Sequence, residues 1–519
     1  MGDLQAPIIN WQVKASKAKA GFTKQRVLLI GQGSGNMRPK GLIEDLQESE
    51  ATDLLGAHSL TRLAFDRFRK YNKRTDIDVI PLAAPTGATK PKSVITIAGE
   101  CTQASNLRFR LGDDQFVFEV GVPLGSSPAS VVVKIIAAIN ASTAPFTATE
   151  FHTQIVVSPT PSSSDSPPAP ALDTSAEDAT KLNVEFDIEG TAGNGLIARV
   201  DTRVSGIGLS MPAMSGGSGA YSTTGIFTNV TARYQTIIFD NTLSLPTVSG
   251  FLTERAALEN TVKSGVGVTM RNGSTTELKA FAETKNAQYM VIFGNPNEMK
   301  LNLIPLLAAA EFGAKRALRL TEGAPLGNLT LDPQETYGGA EKASLPYHNT
   351  PMSYKAPYNQ LSLAQLEDLN DAGISVIVPS ASQTVLGAVV TTYKRNIAGV
   401  DDVTFRYLNS VDTSVAIQEY FFSNCQSEFG QTRATTGELV DGVSMTNTLS
   451  IKSFLVGLYV DLIDKALAQG GAEAVKAFKN RLLVTLDPAT GIYSVNAPVA
   501  IVSQFRGLNG VVEINFDFK

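Results

Sequence analysis

Histidine is the side chain most often used for acid–base chemistry and metal binding near neutral pH. This chain of 519 residues has three, His58, His152 and His348. No two of them have the spacing of a metal-ligand pair, and none stands beside an obvious nucleophile. The two cysteines, Cys101 and Cys425, lie too far apart in sequence for a zinc motif or a disulfide framework, and we expect two buried free thiols. These residues do not indicate an active site.

A glycine-rich loop, GQGSGN (31–36), follows the apolar run VLLIG (27–31), where a phosphate could bind. The dinucleotide fingerprint requires a glycine where Asn36 stands, and MRPKG (37–41) delays the helix that should follow. The P-loop pattern also fails, because no Gly-Lys-Ser/Thr follows. We interpret the loop as a plain strand-to-helix connection and keep a nucleotide-binding α/β enzyme as the less favoured alternative.

Adjacent carboxylates occur at Asp113–Asp114 and at Asp401–Asp402. Both pairs lie in turn contexts, where aspartate is common for backbone reasons. GDD (112–114) separates two alternating segments and predicts a β-hairpin. We therefore assign no catalytic role to these carboxylates.

Composition narrows the class of protein further. The apolar fraction of 43% and the charged fraction of 18% are typical of globular domains. The net charge of −5 gives no support for nucleic-acid binding. No run approaches the roughly 20 apolar residues of a membrane span, and the N-terminus lacks the apolar region of a signal peptide. We expect a protein that folds in a cytoplasm and does not insert into a membrane.

Strands alternate with helices through much of the chain. The predicted strands are 27–31, 76–83, 234–241, 266–270, 287–295 and 373–380. The predicted helices are 50–70, 246–263, 275–286, 301–318 and 363–373. This alternation predicts an α/β core with a mainly parallel, doubly wound sheet.

The segment 86–220 interrupts the alternation with short β runs around one helix at 128–142. Its runs are 93–99, 107–122, 154–159 and 182–190. A Ser- and Pro-rich loop at 158–171 is predicted to be mobile. The segment is predicted to be an inserted β-rich α+β domain.

The two ends of the chain differ from the body. Near the N-terminus, a short apolar stretch precedes a basic segment without acidic residues, which is typical of a solvated tail or of a docking arm. That stretch contains Ile8, Ile9, Trp11 and Val13. Residues 511–519 alternate strictly and predict a half-buried strand that needs a sheet to join, its own or a neighbour's. Its apolar residues are Val512, Ile514, Phe516 and Phe518.

Three stretches together resemble the Mu-like prophage family of contractile bacteriophage tail sheath proteins. The first is AVVTTYKRNIAGVDDVTFRYLNSVDTSVAIQEYF (388–421), and the second is the Ala-rich helix with its following segment at 306–331. The third is the insertion, with GDDQFVFEVGVPLGSSPASVVVKIIAAINAS and EGTAGNGLIARV (189–200). Their order and spacing extend the resemblance from about residue 25 to the end of the chain.

The resemblance implies a structural subunit without catalytic residues or cofactors. It implies an α/β core near a tail tube, an insertion that faces outward, and terminal arms that complete sheets in neighbouring subunits. The implied partners are the chain itself in stacked hexameric rings, the tail tube protein, and baseplate and tail terminator proteins. The implied location is the virion tail, assembled in the bacterial cytoplasm. Another tail component, a tube or baseplate protein, is the alternative.

These inferences divide the chain into five parts. They are the N-terminal linking arm (1–25), the first core part (26–85), the outer domain (86–220), the second core part (221–440) and a C-terminal inner domain with the linking strand (441–519). The inner domain contains a helix predicted at 450–471 and a strand predicted at 492–502. The candidate tube-facing residues lie on that helix and are Lys452, Asp461, Asp464 and Lys465.

Overall fold

The structure, a computed structural model, describes residues 24–33, 41–84, 87–156, 172–222, 224–257, 262–329, 334–357, 359–381 and 383–503. The described part is mixed α/β, with one large, mainly parallel sheet and several smaller sheets, most of them antiparallel. The described residues form two compact units, with Lys24–Val415 in one and Ala416–Ala500 in the other.

The first part of the chain contains β1 (Arg26–Gln32), α1 (Glu48–Leu55), α2 (Leu60–Tyr71) and β2 (Asp76–Leu82). The insertion contains β3 (Lys92–Ala98), β4 (Ser105–Leu111), β5 (Val117–Val122), α3 (Pro128–Asn140), β6 (Phe146–Val156), β7 (Leu172–Phe186), β8 (Ala198–Thr202) and β9 (Gly208–Ser210). Then follow β10 (Thr236–Phe239), α4 (Leu245–Ala256), β11 (Val266–Gly273), α5 (Thr275–Glu283), β12 (Met290–Pro296), α6 (Pro305–Leu320), β13 (Pro351–Lys355), α7 (Leu363–Ala372), β14 (Ile374–Ser380) and β15 (Gln383–Leu386). The chain continues with α8 (Leu408–Phe429), β16 (Arg433–Ala434), β17 (Met445–Thr446), α9 (Thr448–Asp464), α10 (Ala472–Arg481), β18 (Leu483–Asp487) and β19 (Ile492–Asn496).

The large sheet has the order β13-β15-β14-β12-β11-β10-β1-β2. The strands from β14 to β2 are all parallel. At one edge, β15 pairs antiparallel with β14, and β13 pairs antiparallel with β15. Its central strands are buried nearly end to end, as parallel strands with both faces covered should be. The predicted mainly parallel sheet is confirmed.

Helices cover both faces of this sheet. Alternate residues of β1 belong to different hydrophobic clusters, with Val27 and Leu29 in one and Leu28 and Ile30 in the other. The first cluster includes apolar residues of α2 and α6, and the second includes those of α4, α5 and α7. Because successive side chains of a strand point to opposite faces of the sheet, each face has its own hydrophobic core.

Helix α6 is buried along its whole length. It begins at Pro305. Proline has no backbone N–H, but the N–H groups of a first turn have no intrahelical acceptor, so the helix loses no hydrogen bond there. Gly313 lets the helix approach β10 closely, since a Cβ there would lie 2.5 Å from Ile238 Cδ1. The helix also buries four charged side chains, which must find partners within the protein. They are Glu311, Lys315, Arg316 and Arg319.

The insertion lies in sequence between β2 and β10 and builds two antiparallel sheets, β6-β7-β3-β9 and β5-β4-β8. Helix α3 contacts β3, β5, β6 and β7. The predicted hairpin around GDD (112–114) is present as the antiparallel pair β4–β5. The predicted β-rich segment around one helix is present, whereas its description as a domain with limits at 86 and 220 stays a prediction.

The unit Ala416–Ala500 is built around α9. A capping box between Asn447 and Ser450 begins the helix, and Lys465 caps its end. Its buried face consists of Ile451, Leu455, Leu458, Tyr459 and Leu462. Tyr459 stacks on Phe478 of α10 with ring centroids 4.2 Å apart. The predicted helix 450–471 is thus present in shorter form.

Candidate assembly site

The strand order reverses inside the large sheet. From β1 the chain reaches β2 on one side, whereas β10, β11, β12 and β14 follow one another on the other side. In open parallel sheets, ligands bind at such a reversal, beyond the carboxyl ends of the two strands. Those ends are Gln32 of β1 and Asp240, which directly follows β10. A nucleotide site on this core would be expected there.

Tyr221 occupies this position. Its side chain is buried, and its Oη lies 3.2 Å from Gln32 Oε1 and 3.4 Å from Asp240 Oδ2. Asp240 Oδ1 accepts hydrogen bonds from the N–H and the hydroxyl of Thr242, at 2.9 and 3.0 Å. Burial raises the pKa of both Tyr221 and Asp240. The polar groups at the reversal therefore satisfy one another. Residues 34–36 of the glycine-rich loop lie outside the described residues.

Millimolar ATP or NAD is expected to leave the thermal unfolding temperature of the protein unchanged, because the Tyr221 hydroxyl already contacts Gln32 and Asp240 at the strand reversal. Differential scanning fluorimetry measures this directly, with a known nucleotide-binding protein as the positive control. A saturable rise of several degrees with either nucleotide would instead favour the enzyme alternative.

The second candidate surface is the hairpin β18–β19. Val484 pairs with Val495, and Tyr493 donates a hydrogen bond to the carbonyl of Thr446 at 2.8 Å, which anchors the hairpin within its unit. The hairpin also carries exposed apolar side chains, and Leu483 and Ile492 are 54% and 62% exposed. In the part of the chain that the structure describes, this sheet has two strands, so each has one edge without a partner strand.

Such a hairpin is a suitable acceptor for an added strand. Two-stranded sheets are marginally stable in water, and each further strand adds main-chain hydrogen bonds. An unpaired edge presents alternating N–H and C=O groups that an extended segment can match.

The sequence pattern predicts one strand over 492–502 and does not indicate the first strand of this hairpin. The structure ends that strand at Asn496 and pairs it with β18. The signal was present, because Asp487, Pro488 and Gly491 form a turn-type segment between two β-rich runs. Gly491 adopts a φ of 72°, which glycine tolerates without steric cost.

The four candidate tube-facing residues do not share one face of α9. Asp461 and Lys465 both contact Tyr420, with Tyr420 Oη 3.4 Å from Asp461 Oδ2 and Lys465 Nζ 5.9 Å from the ring centroid. Burial and the Asp461 carboxylate raise the pKa of Tyr420 to about 12. Asp464 is exposed and Lys452 is half-buried. At about 100° per residue, Lys452 points roughly opposite to Asp461.

The predicted linking residues lie outside the described residues. This holds for the N-terminal set, Ile8, Ile9, Trp11 and Val13, and for the C-terminal set, Val512, Ile514, Phe516 and Phe518. Their role stays a prediction.

Among the described residues, no group of three or more His, Cys, Asp or Glu side chains is arranged to hold a metal ion. Among the same residues, no helix combines the length and the apolar composition needed to cross a membrane.

No protein-family model and no curated protein matches the chain. Solved structures do match it. A sheath tail protein from Desulfitobacterium hafniense is 12% identical with a TM-score of 0.44, covering 96% of this chain and 98% of that one. A sheath tail protein from Listeria innocua is 12% identical with a TM-score of 0.43, covering 94% and 93%. The helical sheath of the anti-feeding prophage in its contracted state is 10% identical with a TM-score of 0.44, covering all of both chains. Each of these likenesses is remote.

Proposed function

We propose that this chain is the structural subunit of a contractile phage tail sheath. It polymerises around a tail tube as stacked hexameric rings and contracts to drive the tube through the host envelope. Energy is stored in the packing of the subunits, so the chain acts by assembly and not by catalysis. Its partners are further copies of itself, the tube protein, and baseplate and terminator proteins. Its place is the virion tail, after assembly in the host cytoplasm.

One observation carries the proposal, the order of parts along the chain. The Mu-like sheath resemblance implies an α/β core and, inserted into it, a β-rich module with one Ala- and Ile-rich helix. The described residues contain a mainly parallel sheet, with antiparallel sheets around α3 between β2 and β10 in sequence. This order supports the proposal.

The β18–β19 hairpin supports the linking role of the two ends. We assign its open edges as acceptors for the terminal segments of neighbouring subunits. The strict alternation of 511–519 suits one edge, because it offers one apolar and one polar face. Such links would hold subunits together while their bodies rearrange.

Charge reversal at Lys452 and Asp464 of α9 is expected to weaken assembly on tubes more than self-assembly. The reason is that a tube contact which must release during contraction is best made by polar groups. The variant is Lys452→Glu combined with Asp464→Lys, which leaves the net charge unchanged. Cosedimentation with purified tubes, compared with sedimentation of the sheath protein alone, measures the two activities.

The matched control is Glu473→Lys combined with Lys479→Glu, two exposed positions on α10, which also leaves the net charge unchanged. If the α9 variant lowers both activities equally, or if the α10 variant acts like it, the tube-facing assignment is wrong.

A tube or baseplate component is the second candidate function. Electron microscopy of the purified protein separates the two, since a sheath subunit is expected to form wide, ribbed tubes by itself. Narrow smooth tubes or compact complexes would favour the second candidate.

A further inference from the structure

The turn between β4 and β5 places a buried carboxylate of the insertion against the α/β core. Asp113 has no exposed surface, and its Oδ1 lies 2.6 Å from Arg67 Nη2 on α2. Its Oδ2 accepts the backbone N–H of Ile304, just before α6, at 3.3 Å. The same Oδ1 accepts the N–H of Gln115 at 3.1 Å, which shapes the turn itself. One side chain of the insertion thus joins two elements of the core.

Two more carboxylates of the insertion meet Lys355 at the end of β13. Asp114 Oδ2 accepts the backbone N–H of Lys355 at 2.6 Å, and Asp201 Oδ1 of β8 lies 2.9 Å from Lys355 Nζ. Arg110 Nε, from the insertion itself, lies 2.7 Å from Asp201 Oδ2. Burial raises the pKa of Asp114, whereas for Asp201 the bonds from Lys355 and Arg110 outweigh burial and lower the pKa. All three carboxylates therefore face cations or N–H groups of the core.

Arg67 connects this contact to the centre of the core. Its Nη1 donates to Glu311 Oε2 on α6 at 3.1 Å and to Ser353 Oγ at 2.9 Å, and Lys315 Nζ lies 2.6 Å from Glu311 Oε1. Burial alone would raise the pKa of Glu311, but Lys315 and Arg67 lower it below its ordinary value. The result is a buried chain of alternating charges that begins in the insertion and ends in the core.

Elsewhere the junction has apolar contacts, because buried residues of the insertion and of the core belong to one hydrophobic cluster, and Arg199 and Asn272 each donate a further hydrogen bond across it. It also contains an open space. A cleft of about 660 Å³ lies between the two parts, lined by Leu209 and Met211 of the insertion and by Pro296 and Leu301 of the core. Among the described strands, pairing stays within the insertion or within the large sheet and never crosses between them. The two parts can therefore separate without loss of any strand pairing.

We propose that Asp113, Asp114 and Asp201 are a latch that holds the insertion on the α/β core, and that the insertion can undock there as a unit. Charges buried at a junction depend on partners from the other side, because an unpaired buried charge is strongly unfavourable. Undocking lets water replace those partners while each part keeps its own sheets. The inference does not depend on a sheath function, since it concerns one chain.

The test is amide hydrogen exchange in the full-length chain carrying Asp113→Asn, Asp114→Asn and Asp201→Asn together. The amides of Ile304 and Lys355 are expected to exchange about tenfold faster than in the unaltered protein, because local opening now exposes them more often. Amides in the centre of α3 and in β11 are expected to keep their protection.

Asp178→Asn is the control, since Asp178 pairs with Lys181 inside the insertion at 2.7 Å. It is expected to leave the junction amides unchanged. Unchanged exchange at Ile304 and Lys355 in the triple variant would overturn the latch. A uniform increase in exchange across both parts would also overturn it, because the carboxylates would then stabilise the whole fold and not the junction alone. Lys355→Met removes the Asp201 pair and leaves the Asp113 carboxylate, which accepts the Ile304 N–H, in place. A smaller increase at Ile304, confined to the junction, is therefore required in this variant as well. Unchanged exchange there would mean that the triple variant only loses two hydrogen bonds, and it would overturn undocking.

Discussion

Removal of residues 511–519 is expected to abolish polymerisation and leave a folded monomer. The deleted strand would form several main-chain hydrogen bonds in a neighbouring subunit, each contributing roughly 1 kcal/mol net. Its four apolar side chains would each contribute about 1.5–3 kcal/mol when fully buried there. Without them, we expect the sedimentable fraction to fall at least about tenfold, while circular dichroism and the thermal unfolding temperature stay close to those of the full-length chain.

Two matched variants test the strand's faces separately. Replacing Phe516 and Phe518 by Ser removes half of the apolar face and is expected to reproduce most of the deletion. Replacing Glu513 and Asn515 by Ser changes the other face and is expected to leave assembly intact. Normal tubes from the deletion mutant would exclude residues 511–519 as a link.

Asp412→Ala is expected to destabilise the protein by about 3–5 kcal/mol, the range for breaking a buried ion pair. Asp412 on α8 is buried, and its carboxylate accepts hydrogen bonds from Arg316 Nε at 3.3 Å and from Tyr347 Oη at 2.6 Å. Arg316 is itself buried and donates to the carbonyl of Gln235 at 2.8 Å. Without Asp412, the guanidinium would be a buried charge that has lost its carboxylate partner. A urea titration followed by circular dichroism should show a midpoint lower by about 1 M or more.

Asp401→Ala is the matched control. Asp401 also pairs with an arginine, Arg395, at 3.3 Å, but the two side chains are 91% and 65% exposed. Exposed pairs contribute little because water and salt screen them. The urea midpoint of Asp401→Ala should match that of the unaltered protein. Equal shifts for the two variants would mean that burial does not set the strength of the Arg316–Asp412 pair.

The large sheet was predictable because its strands are short apolar runs that alternate with amphipathic helices. The limits of elements were harder to predict. The apolar period across 50–70 predicted one helix, but Gly56 and the N-cap Ser59, whose side chain accepts the N–H of Arg62, divide it into α1 and α2. Both signals stand in the sequence as a glycine stop and an N-cap serine, but the apolar periodicity alone does not contain them.

Contacts between distant residues could not be predicted in this way. The turn predicted around Asp113 is present, but the ion pair of Asp113 with Arg67 joins residues 46 apart in sequence. Tyr221 lies in a segment rich in Gly and Ser, which predicts a loop and gives no sign that its ring closes the strand reversal. One sequence gives the types of these side chains but not their partners.

The central claim is that this chain polymerises into a contractile sheath, and negative-stain electron microscopy of the purified full-length protein tests it most directly. The expected result is wide, hollow tubes with transverse ribs and sixfold symmetry in cross-section. Monodisperse particles without tubes, at concentrations and salt conditions where the chain is folded, would contradict the claim.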